Sequence, residues 1–427
     1  MKTERICDDL IIERKSNSVI IGKIIVAVIL VGVLVWFAGW GRKMIPAFNP
    51  QDKVVEESTE DFFDIYDEMT TTPAFDAASS LDYARKQLSG ADAELYDLLC
   101  ASFENKEFTI VNGLDGYTSE DVRDAVNCVI YDHPEFFWLD GGIAWETNAV
   151  TGELQSITFD SEYGLICDQS KIASLESKAF KVADEIIAQA ENLGSDYEKA
   201  LFVHDLLVNK ITYSMSLVDT RFSVPEGEQE PEAVSIGCSM YGALVDNNSV
   251  CEGYAKAYQY IMKELGIECI YIPGKGNGEG HAWNAIKLGN EYYYVDVTWD
   301  DPVPNEGQSE TLWYAYAFTT SEQFDTDHVA EVDEITLPVA TATTYNYYRV
   351  NGIFVETYSY ESVKACIEKC FANNLPLEIG FSDKAEMEKA RTALMEDGEF
   401  SRIMQELGKE TSGISCMYIG NAIKLFY

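Results

Sequence analysis

The stretch VCEGYAKAYQYIMKELG, residues 250–266, has the apolar spacing of an amphipathic helix and decides how the rest of the chain is interpreted. Ser249 and Glu252 have the spacing of a capping box, which predicts a helix that starts beside Cys251 and ends at Gly266. A cysteine in a first helical turn meets unpaired backbone N–H groups and the positive end of the helix dipole, and both favour a thiolate. Position alone does not separate a nucleophile from a buried helical cysteine.

A second stretch, GHAWNAIKLGNEYYYVDVTWDDP at 280–302, alternates like two strands joined by a turn at Gly289 and Asn290. A two-residue or a four-residue loop leaves His281 and Asp296 on one face of the hairpin, diagonal or opposite to each other. Only an odd loop or a bulge would separate them. The hairpin therefore predicts a contact between a histidine and a carboxylate.

Cys251, His281 and Asp296 are the residue types that thiol-based acyl transfer needs. A thiol that attacks an amide carbonyl requires a base, and the base requires a partner that fixes its tautomer. The predicted roles are therefore nucleophile, base and orienting residue, in chain order. A metal site built from the same residues lacks a fourth ligand nearby, so neither a metal nor a cofactor is expected. A core cysteine beside an unrelated surface hairpin remains the alternative.

These stretches resemble the core of the transglutaminase-like superfamily over about Tyr241 to Pro302. Two further stretches are similar to the surroundings of this domain in bacterial surface proteins. They are the helix at 196–209, which ends in ITYS, and residues 325–328. The resemblance implies an α+β, papain-like core in which a cysteine-bearing helix packs on an antiparallel sheet. It also implies acyl transfer through a thioester on peptide or protein substrates, with the three residues in triad roles by motif position.

Further residues are expected to shape this site. The backbone N–H of Cys251 is the natural first donor of an oxyanion hole, and a side chain that precedes the helix should supply the second. Tyr241 is our candidate for that donor, although packing explains a tyrosine there equally well. Trp283 and Asn284 are expected to line the site, with Trp283 shielding the thiol from water.

Composition limits the possible partners. The chain has 31 basic and 72 acidic residues, a formal net charge of -41, which repels the phosphate backbone of nucleic acid. Its 47% hydrophobic content is sufficient for a packed core. Ten cysteines show no compact disulfide framework and no zinc-type spacing, so we expect most of them to be buried free thiols.

Residues 19–40 are almost wholly apolar and long enough to cross a bilayer, for which about 17–25 residues suffice. Four basic residues precede this stretch and two directly follow it. The positive-inside rule therefore predicts a cytoplasmic tail at 1–18 and a transmembrane helix that leaves the rest of the chain outside the cytoplasm. A cleaved signal peptide is the alternative, because Gly39 and Gly41 are small residues suited to a cleavage site.

The remaining chain divides into four expected parts. Composition predicts an acidic stalk at 41–80, and the residue patterns predict a helix-rich region at 81–170 and a small α+β domain at 333–427; the resemblance implies that the catalytic domain lies at 171–332. Nothing in the last part resembles a catalytic set. The whole chain could instead be a non-catalytic surface module that binds peptide or polysaccharide, but such a module would not need all three triad residues.

Several local elements are predicted with defined boundaries. Before the catalytic domain these are a helix from Ser119, as N-cap, to Ile130, core side chains at 136–138, and strands at 142–146 and 154–159. Within that domain a helix is predicted to be capped by Ser195, with its core side formed by Leu201, Phe202, Leu206 and Leu207. His204 lies in this helix and is expected to be structural or exposed. A loop is predicted at 221–235. In the last part they are a hairpin around Asn351 and Gly352, then helix 359–371, strand 375–381, a helical stretch 384–408 and a strand pair 414–426.

Overall fold

The computed structural model describes residues 81–225, 228–302, 312–411 and 413–427, together with a short strand at Lys2–Glu4. The predicted transmembrane helix at 19–40 and stalk at 41–80 lie outside these residues, as does all of the predicted tail at 1–18 apart from that strand. Among the residues that the structure describes, every helix is too short or too polar to cross a membrane.

The region before the catalytic core combines helices with a small sheet. Its elements are β1 Lys2–Glu4, α1 Ala91–Glu104, β2 Thr109–Ile110, α2 Ser119–Asp132, β3 Ile143–Thr147 and β4 Leu154–Thr158. The strands form one sheet in the order β1-β3-β4-β2. Helix α2 is confirmed, but its N-cap is Thr118, whose side chain accepts from the backbone N–H of Asp121. Prediction of Ser119 as the cap is wrong because Thr118 and Asp121 complete a capping box one residue earlier.

The aromatic residues at 136–138 lie in the core, as predicted. Phe103 makes edge-to-face contacts with Phe136, Trp138 and Phe159, at centroid distances of 5.8, 5.7 and 4.9 Å. The indole N–H of Trp138 donates to the carboxylate of Glu176 at 2.8 Å, so the one polar group of this cluster is satisfied.

The middle of the chain contains the predicted helix and hairpin. Its elements are α3 Gln169–Ala190, α4 Asp196–Lys210, β5 Thr212–Tyr213, α5 Met215–Ser223, α6 Glu232–Cys238, β6 Asn248–Ser249, α7 Cys251–Glu264, β7 Cys269–Gly276, β8 Glu279–Leu288, β9 Glu291–Val295, α8 Ser321–Phe324 and β10 His328–Ala330. The loop expected at 221–235 is partly helical, since α5 and α6 extend into it.

Helix α7 packs on an antiparallel sheet of order β10-β7-β8-β9. Ten of its fourteen residues are buried, which makes it the central element of this part. The helix begins at Cys251, but the predicted capping box is wrong: Val250 is the N-cap and supplies no side-chain bond. Ser249 instead donates to the backbone oxygen of Gly237 at 2.7 Å, and the Glu252 carboxylate accepts from Lys256 at 2.8 Å.

Helix α4 begins at its predicted cap, where Ser195 accepts from the backbone N–H of Glu198. Its buried side is centred on Val203 and Leu207. Leu201, Phe202 and Leu206 are only half-buried, so the predicted core side was rotated relative to the observed one. The same face buries His204, as described below.

The last part of the chain contains helices on a four-stranded sheet of order β11-β12-β14-β13. Its elements are α9 Tyr347–Asn351, β11 Phe354–Val355, α10 Tyr360–Asn373, β12 Glu378–Phe381, α11 Lys384–Met395, α12 Glu399–Glu406, β13 Ser415–Ile419 and β14 Ala422–Phe426. The predicted hairpin around Asn351 is wrong. Tyr347–Asn351 is helical and ends at Gly352, whose φ of 63° is the left-handed conformation that stops helices.

This sheet is joined to the middle of the chain by a buried polar contact. Glu378 of β12 accepts from the backbone N–H of Tyr314 at 3.1 Å and from the hydroxyl of Tyr348 at 2.5 Å. Lys424 of β14 lies 3.2 Å from the same carboxylate. The rings of Tyr314 and Tyr347 stack with centroids 3.5 Å apart. These contacts fix the C-terminal sheet against the segment that follows the catalytic hairpin.

Candidate active site

Three elements bring the predicted triad together. Cys251 is the first residue of α7, His281 lies on β8 and Asp296 directly follows β9. Leu288 pairs with Glu291, so the hairpin has the two-residue loop, the first of the two expected registers. The His281 Nε2–H donates to Asp296 Oδ2 at 2.6 Å, and the ring is also hydrogen-bonded to Cys251. Because Nε2 is occupied by the carboxylate, Nδ1 is the nitrogen that faces the thiol.

Asp296 is held in place by the backbone that follows it. Its Oδ1 accepts from the N–H groups of Thr298 and Trp299 at 2.9 and 3.1 Å, which leaves Oδ2 for the imidazole. The Asp296 side chain is wholly buried and that of His281 is 7% exposed, whereas Cys251 is half-buried. The base and its partner are thus shielded from water while the thiol remains accessible.

Burial and charge act in opposite directions on this pair. Burial lowers the pKa of His281, but the charges of Asp296 and Cys251 and the hydrogen bonds to both raise it to about 10. Burial raises the pKa of Asp296, but its bonds and charge interactions with His281 and His328 bring it well below the usual value. At neutral pH the imidazole is therefore protonated and the carboxylate ionised, the state in which a neighbouring thiolate is stabilised.

A second histidine reaches the same carboxylate. His328 Nε2 lies 3.1 Å from Asp296 Oδ2, and its Nδ1 lies 2.6 Å from Asp327 Oδ1. The ring packs against Trp299 and Phe324, with centroids 4.3 and 4.0 Å away. Sequence reasoning missed this contact, because β10 reaches the triad by pairing with β7, a long-range register that no local pattern encodes.

The ligand atoms of His281, Asp296 and His328 lie within 4.8 Å of one another, which raises the question of a metal site. Two ligands on one zinc ion, at bond lengths of about 2.0–2.1 Å, would stand about 3.3 Å apart. The Nε2–Oδ2 distances of 2.6 and 3.1 Å are shorter, as expected for hydrogen bonds. In this arrangement the three side chains form a hydrogen-bonded set with no room for an ion between them.

Trp283 and Asn284, which were expected to line the site, have different surroundings. The Trp283 ring stacks beside His281 at a centroid distance of 5.9 Å and meets His328 edge-on at 4.9 Å. Asn284 points the other way, as strand alternation requires, and donates to the backbone oxygens of Ala255 and Ile270 at 3.0 and 3.2 Å. The Trp283 ring therefore packs against the imidazoles of His281 and His328, while Asn284 joins helix α7 to the sheet.

The expected oxyanion donor, Tyr241, is buried with its ring 6.4 Å from that of Phe137, which favours the packing interpretation. Tyr213 lies closer to the chemistry. Burial first, and then the charges of Cys251 and Asp296, raise the pKa of its hydroxyl. It is placed there because β5 pairs with β6, which sets Tyr213 opposite Ser249, two residues before the thiol. The ITYS segment was the signal that could have identified it.

Of the triad residues, His281 lines a cavity of about 1340 Å³. Residues from the middle of the chain that line it include Tyr213, His281, Trp299 and Tyr316, and residues from the C-terminal part include Arg349, Phe354, Asp383 and Tyr418. Pockets that enclose small molecules measure about 300–1,000 Å³, so this cavity exceeds the usual range. Its lining is mixed, with more apolar than polar surface, and the C-terminal sheet supplies one of its walls.

The other cysteines have different environments. All nine that the structure describes are free, and Cys251 and Cys416 are the two that are not fully buried. Burial raises the pKa of each of the eight others, which disfavours a thiolate there. Cys100 also has a histidine neighbour, His133 at 3.4 Å, but this pair is enclosed in the N-terminal region. It serves below as a matched control.

Comparisons with known proteins identify relatives of the middle of the chain. A model of the Transglutaminase-like superfamily matches residues 181–297, the span that includes Cys251, His281 and Asp296. Kyphoscoliosis peptidase of Mus musculus and of Homo sapiens are each 28% identical to the chain over 92 residues. Each match covers 19% of this chain and only 13% of the relative's length.

Two solved structures are similar over part of their length. One is a transglutaminase, with 13% identity and a TM-score of 0.26, over 39% of this chain and 46% of that one. The other is a candidate cysteine protease of Cytophaga hutchinsonii, with 15% identity and a TM-score of 0.22, over 36% and 61%. On the match to its family model, residues 181–297 of this chain are a domain of the transglutaminase-like superfamily.

Proposed function

We propose that this protein is a thiol enzyme that acts on amide bonds of peptides or proteins through a thioester on Cys251. The observation that carries the proposal is the imidazole of His281, which is hydrogen-bonded to Asp296 at 2.6 Å on one side and to Cys251 on the other. Roles follow from position: Cys251 is the nucleophile, His281 the acid and base, and Asp296 the residue that fixes the tautomer.

In the first half-reaction the Cys251 thiolate attacks the amide carbon, and the carbonyl oxygen becomes an oxyanion. The backbone N–H of Cys251 and the hydroxyl of Tyr213 donate to that oxyanion. When the tetrahedral intermediate collapses, the C–N bond breaks and His281 Nδ1 gives its proton to the departing amine. An acyl thioester on Cys251 remains.

In the second half-reaction a water molecule or a second amine enters. His281, now neutral, takes its proton as the oxygen or nitrogen attacks the thioester carbon, and the thiolate departs. The large cavity that His281 lines has room for water, which supports hydrolysis over transfer. The names of the peptidase relatives point the same way, although the matched span is a small part of those proteins.

The proposal is tested with a glutamine peptide that is offered hydroxylamine or water. Full-length protein should convert the peptide to a hydroxamate or to a free acid, each identified by mass, and Cys251→Ala should abolish both products. Cys100→Ala is the matched control, because Cys100 also neighbours a histidine but is enclosed. Equal product from the wild type and Cys251→Ala would overturn the proposal.

We also propose that residues 19–40 anchor the enzyme in the cell membrane with its catalytic part outside the cytoplasm, where surface or cell-wall peptides are its substrates. The apolar length of 19–40 and the basic residues before it support this topology. Cys7, the one cysteine in 1–18, provides the test. A membrane-impermeant maleimide applied to intact cells should leave Cys7 unlabelled. Labelling would overturn this topology. The pairing of Lys2–Glu4 with β3 favours that outcome, because residues hydrogen-bonded to this sheet lie on the same side of the membrane as the catalytic part.

A further inference from the structure

His328 and His281 share one carboxylate oxygen. Both direct Nε2 at Asp296 Oδ2, at 3.1 and 2.6 Å. The two rings stand 5.5 Å apart, each on its own strand of the same sheet. Asp296 therefore divides its hydrogen-bonding capacity and its negative charge between two imidazoles, whereas a simple triad has only one.

The surroundings of His328 determine its protonation. Nε2 faces Asp296 and Nδ1 faces Asp327, and since ionised carboxylates only accept, both nitrogens must donate. An imidazole that donates from both nitrogens carries a positive charge. The opposite oxygen of Asp327 accepts from the hydroxyl of Tyr316 at 2.6 Å, so this carboxylate is itself held in place. A buried cation thus stands beside the partner of the catalytic base.

The position of His328 is enforced by packing. His328 pairs with Gly276 across β10 and β7. A side chain at Gly276 would come within 2.6 Å of Trp299 and 3.1 Å of His281, so only glycine allows the strand to lie this close to the triad. Rings of Trp283, Trp299, Tyr316 and Phe324 surround the imidazole.

We propose that His328 is a positioning residue for the triad. It remains cationic between Asp296 and Asp327 and orients Oδ2 of Asp296 towards His281. Because it shares that oxygen, it also weakens the interaction by which Asp296 stabilises the protonated form of His281. This rests on the proposed role of His281 as acid and base. A base that binds its proton too firmly is a poor acid for the departing amine, so a second cation on the carboxylate favours turnover.

Charge effects run in the required direction. Burial lowers the pKa of His328, but its hydrogen bonds to Asp296 and Asp327 and the charge of Asp296 raise it overall. The positive charge of His281 is a smaller lowering effect, and by reciprocity the charge of His328 lowers the pKa of His281. Among the described residues, the titratable groups that interact with this pair or its carboxylate include Cys251, Asp327, Asp325, Tyr213, Tyr316 and Asp300.

The test is the pH dependence of Cys251 alkylation by iodoacetamide in the full-length protein, followed by the mass of the peptide that contains Cys251. This rate reports the thiolate and its imidazolium partner whether or not the protein turns over amides, so it is independent of the proposed reaction. His328→Gln keeps one N–H donor for Asp296 but removes the charge. We expect the alkaline transition, assigned to His281, to move up by about one pH unit, a tenfold change in proton affinity.

His133→Gln is the matched control, because His133 is also a buried histidine beside a carboxylate, but its hydrogen-bond partners are Tyr96, Cys100 and Glu135 in the region before the catalytic core. Both variants should lose stability, whereas only His328→Gln should shift the transition. Coincident profiles for the wild type and both variants would overturn the proposal.

If His328→Gln does not fold, a second measurement on the wild-type protein still tests the proposal. The chain has only four histidines, so the side-chain ¹⁵N signals of the wild type can be assigned with the other variants. Both nitrogens of His328 should remain protonated from pH 6 to 8. A His328 ring that is neutral at pH 7 would contradict the proposal.

Discussion

The side-chain amide of Asn284 donates to the backbone oxygen of Ala255 at 3.0 Å, and it thereby joins the helix that begins with Cys251 to the strand that carries His281. The same amide donates to Ile270 on the neighbouring strand. The distance between nucleophile and base is therefore set partly by a residue that touches neither of them.

Asn284→Leu should test this connection. The replacement removes one hydrogen-bond donor from each of two buried carbonyls, and we expect the free energy of unfolding to fall by about 1–3 kcal/mol. Chemical denaturation with two spectroscopic probes would measure this change. Asn209→Ala, on an exposed position of α4, should change stability by less than about 0.5 kcal/mol. An Asn284 variant as stable as the wild type would contradict the prediction.

Tyr213→Phe should separate the two candidate oxyanion donors. Loss of the hydroxyl should lower kcat by about 10²–10³ with little change in KM, because the bond forms only when the oxyanion develops. Tyr241→Phe should leave both constants near the wild-type values, since its ring packs beside Phe137. Hydroxamate formation at several substrate concentrations provides the two constants. The reverse result would restore Tyr241 as the donor.

Asp296→Asn should keep the shape of the site and remove its charge. His281 would no longer be held in the tautomer that directs Nδ1 to the thiol, and we expect kcat to fall by about 10³–10⁴. Glu322→Gln is the control, because this exposed carboxylate lines the same cavity without contacting the triad. Similar losses in the two variants would show that the effect comes from the charge of the cavity as a whole.

The stability of the protein should fall on the alkaline side of neutrality. Burial lowers the pKa of His204, but bonds to Asp205 and Asp300 raise it to about 9. Because this folded pKa exceeds the unfolded value of about 6.5, the stabilisation is complete below pH 6.5 and is lost as pH rises to 9. The loss attributable to His204 should be on the order of 2 kcal/mol.

Denaturation midpoints between pH 6 and pH 9.5 provide the measurement for His204. In His204→Gln the slope across this interval should be smaller, though not absent, because the pKa values of His133, His281 and His328 are raised as well. A wild-type protein whose stability rises over the interval would refute the assignment.

The hairpin shows why part of the site could be predicted from sequence. Strand alternation has a period of two, so His281 and Asp296 share a face under either even loop, and the two-residue turn at Gly289 and Asn290 brings them to hydrogen-bonding distance. The position of Cys251 at the start of α7 was also found, although Ser249 turned out to bond Gly237 instead of capping the helix.

Long-range pairings account for what sequence reasoning missed. Tyr213 reaches the thiol through the pairing of β5 with β6, and His328 reaches Asp296 through the pairing of β10 with β7. Neither register leaves a local periodic pattern. In the C-terminal part, the segment around Asn351 and Gly352 has the turn chemistry of a hairpin, but Tyr347–Asn351 forms a short helix that Gly352 ends in the left-handed conformation.

The contact between Glu378 and Tyr314 has a consequence for how the chain can vary. Chains that end before Glu378 would leave the buried N–H of Tyr314 without its acceptor and would remove one wall of the cavity. The two parts should therefore melt in one cooperative transition. Because of this shared polar contact, we expect that replacing residues 347–427 with the corresponding part of another protein would destabilise the catalytic part.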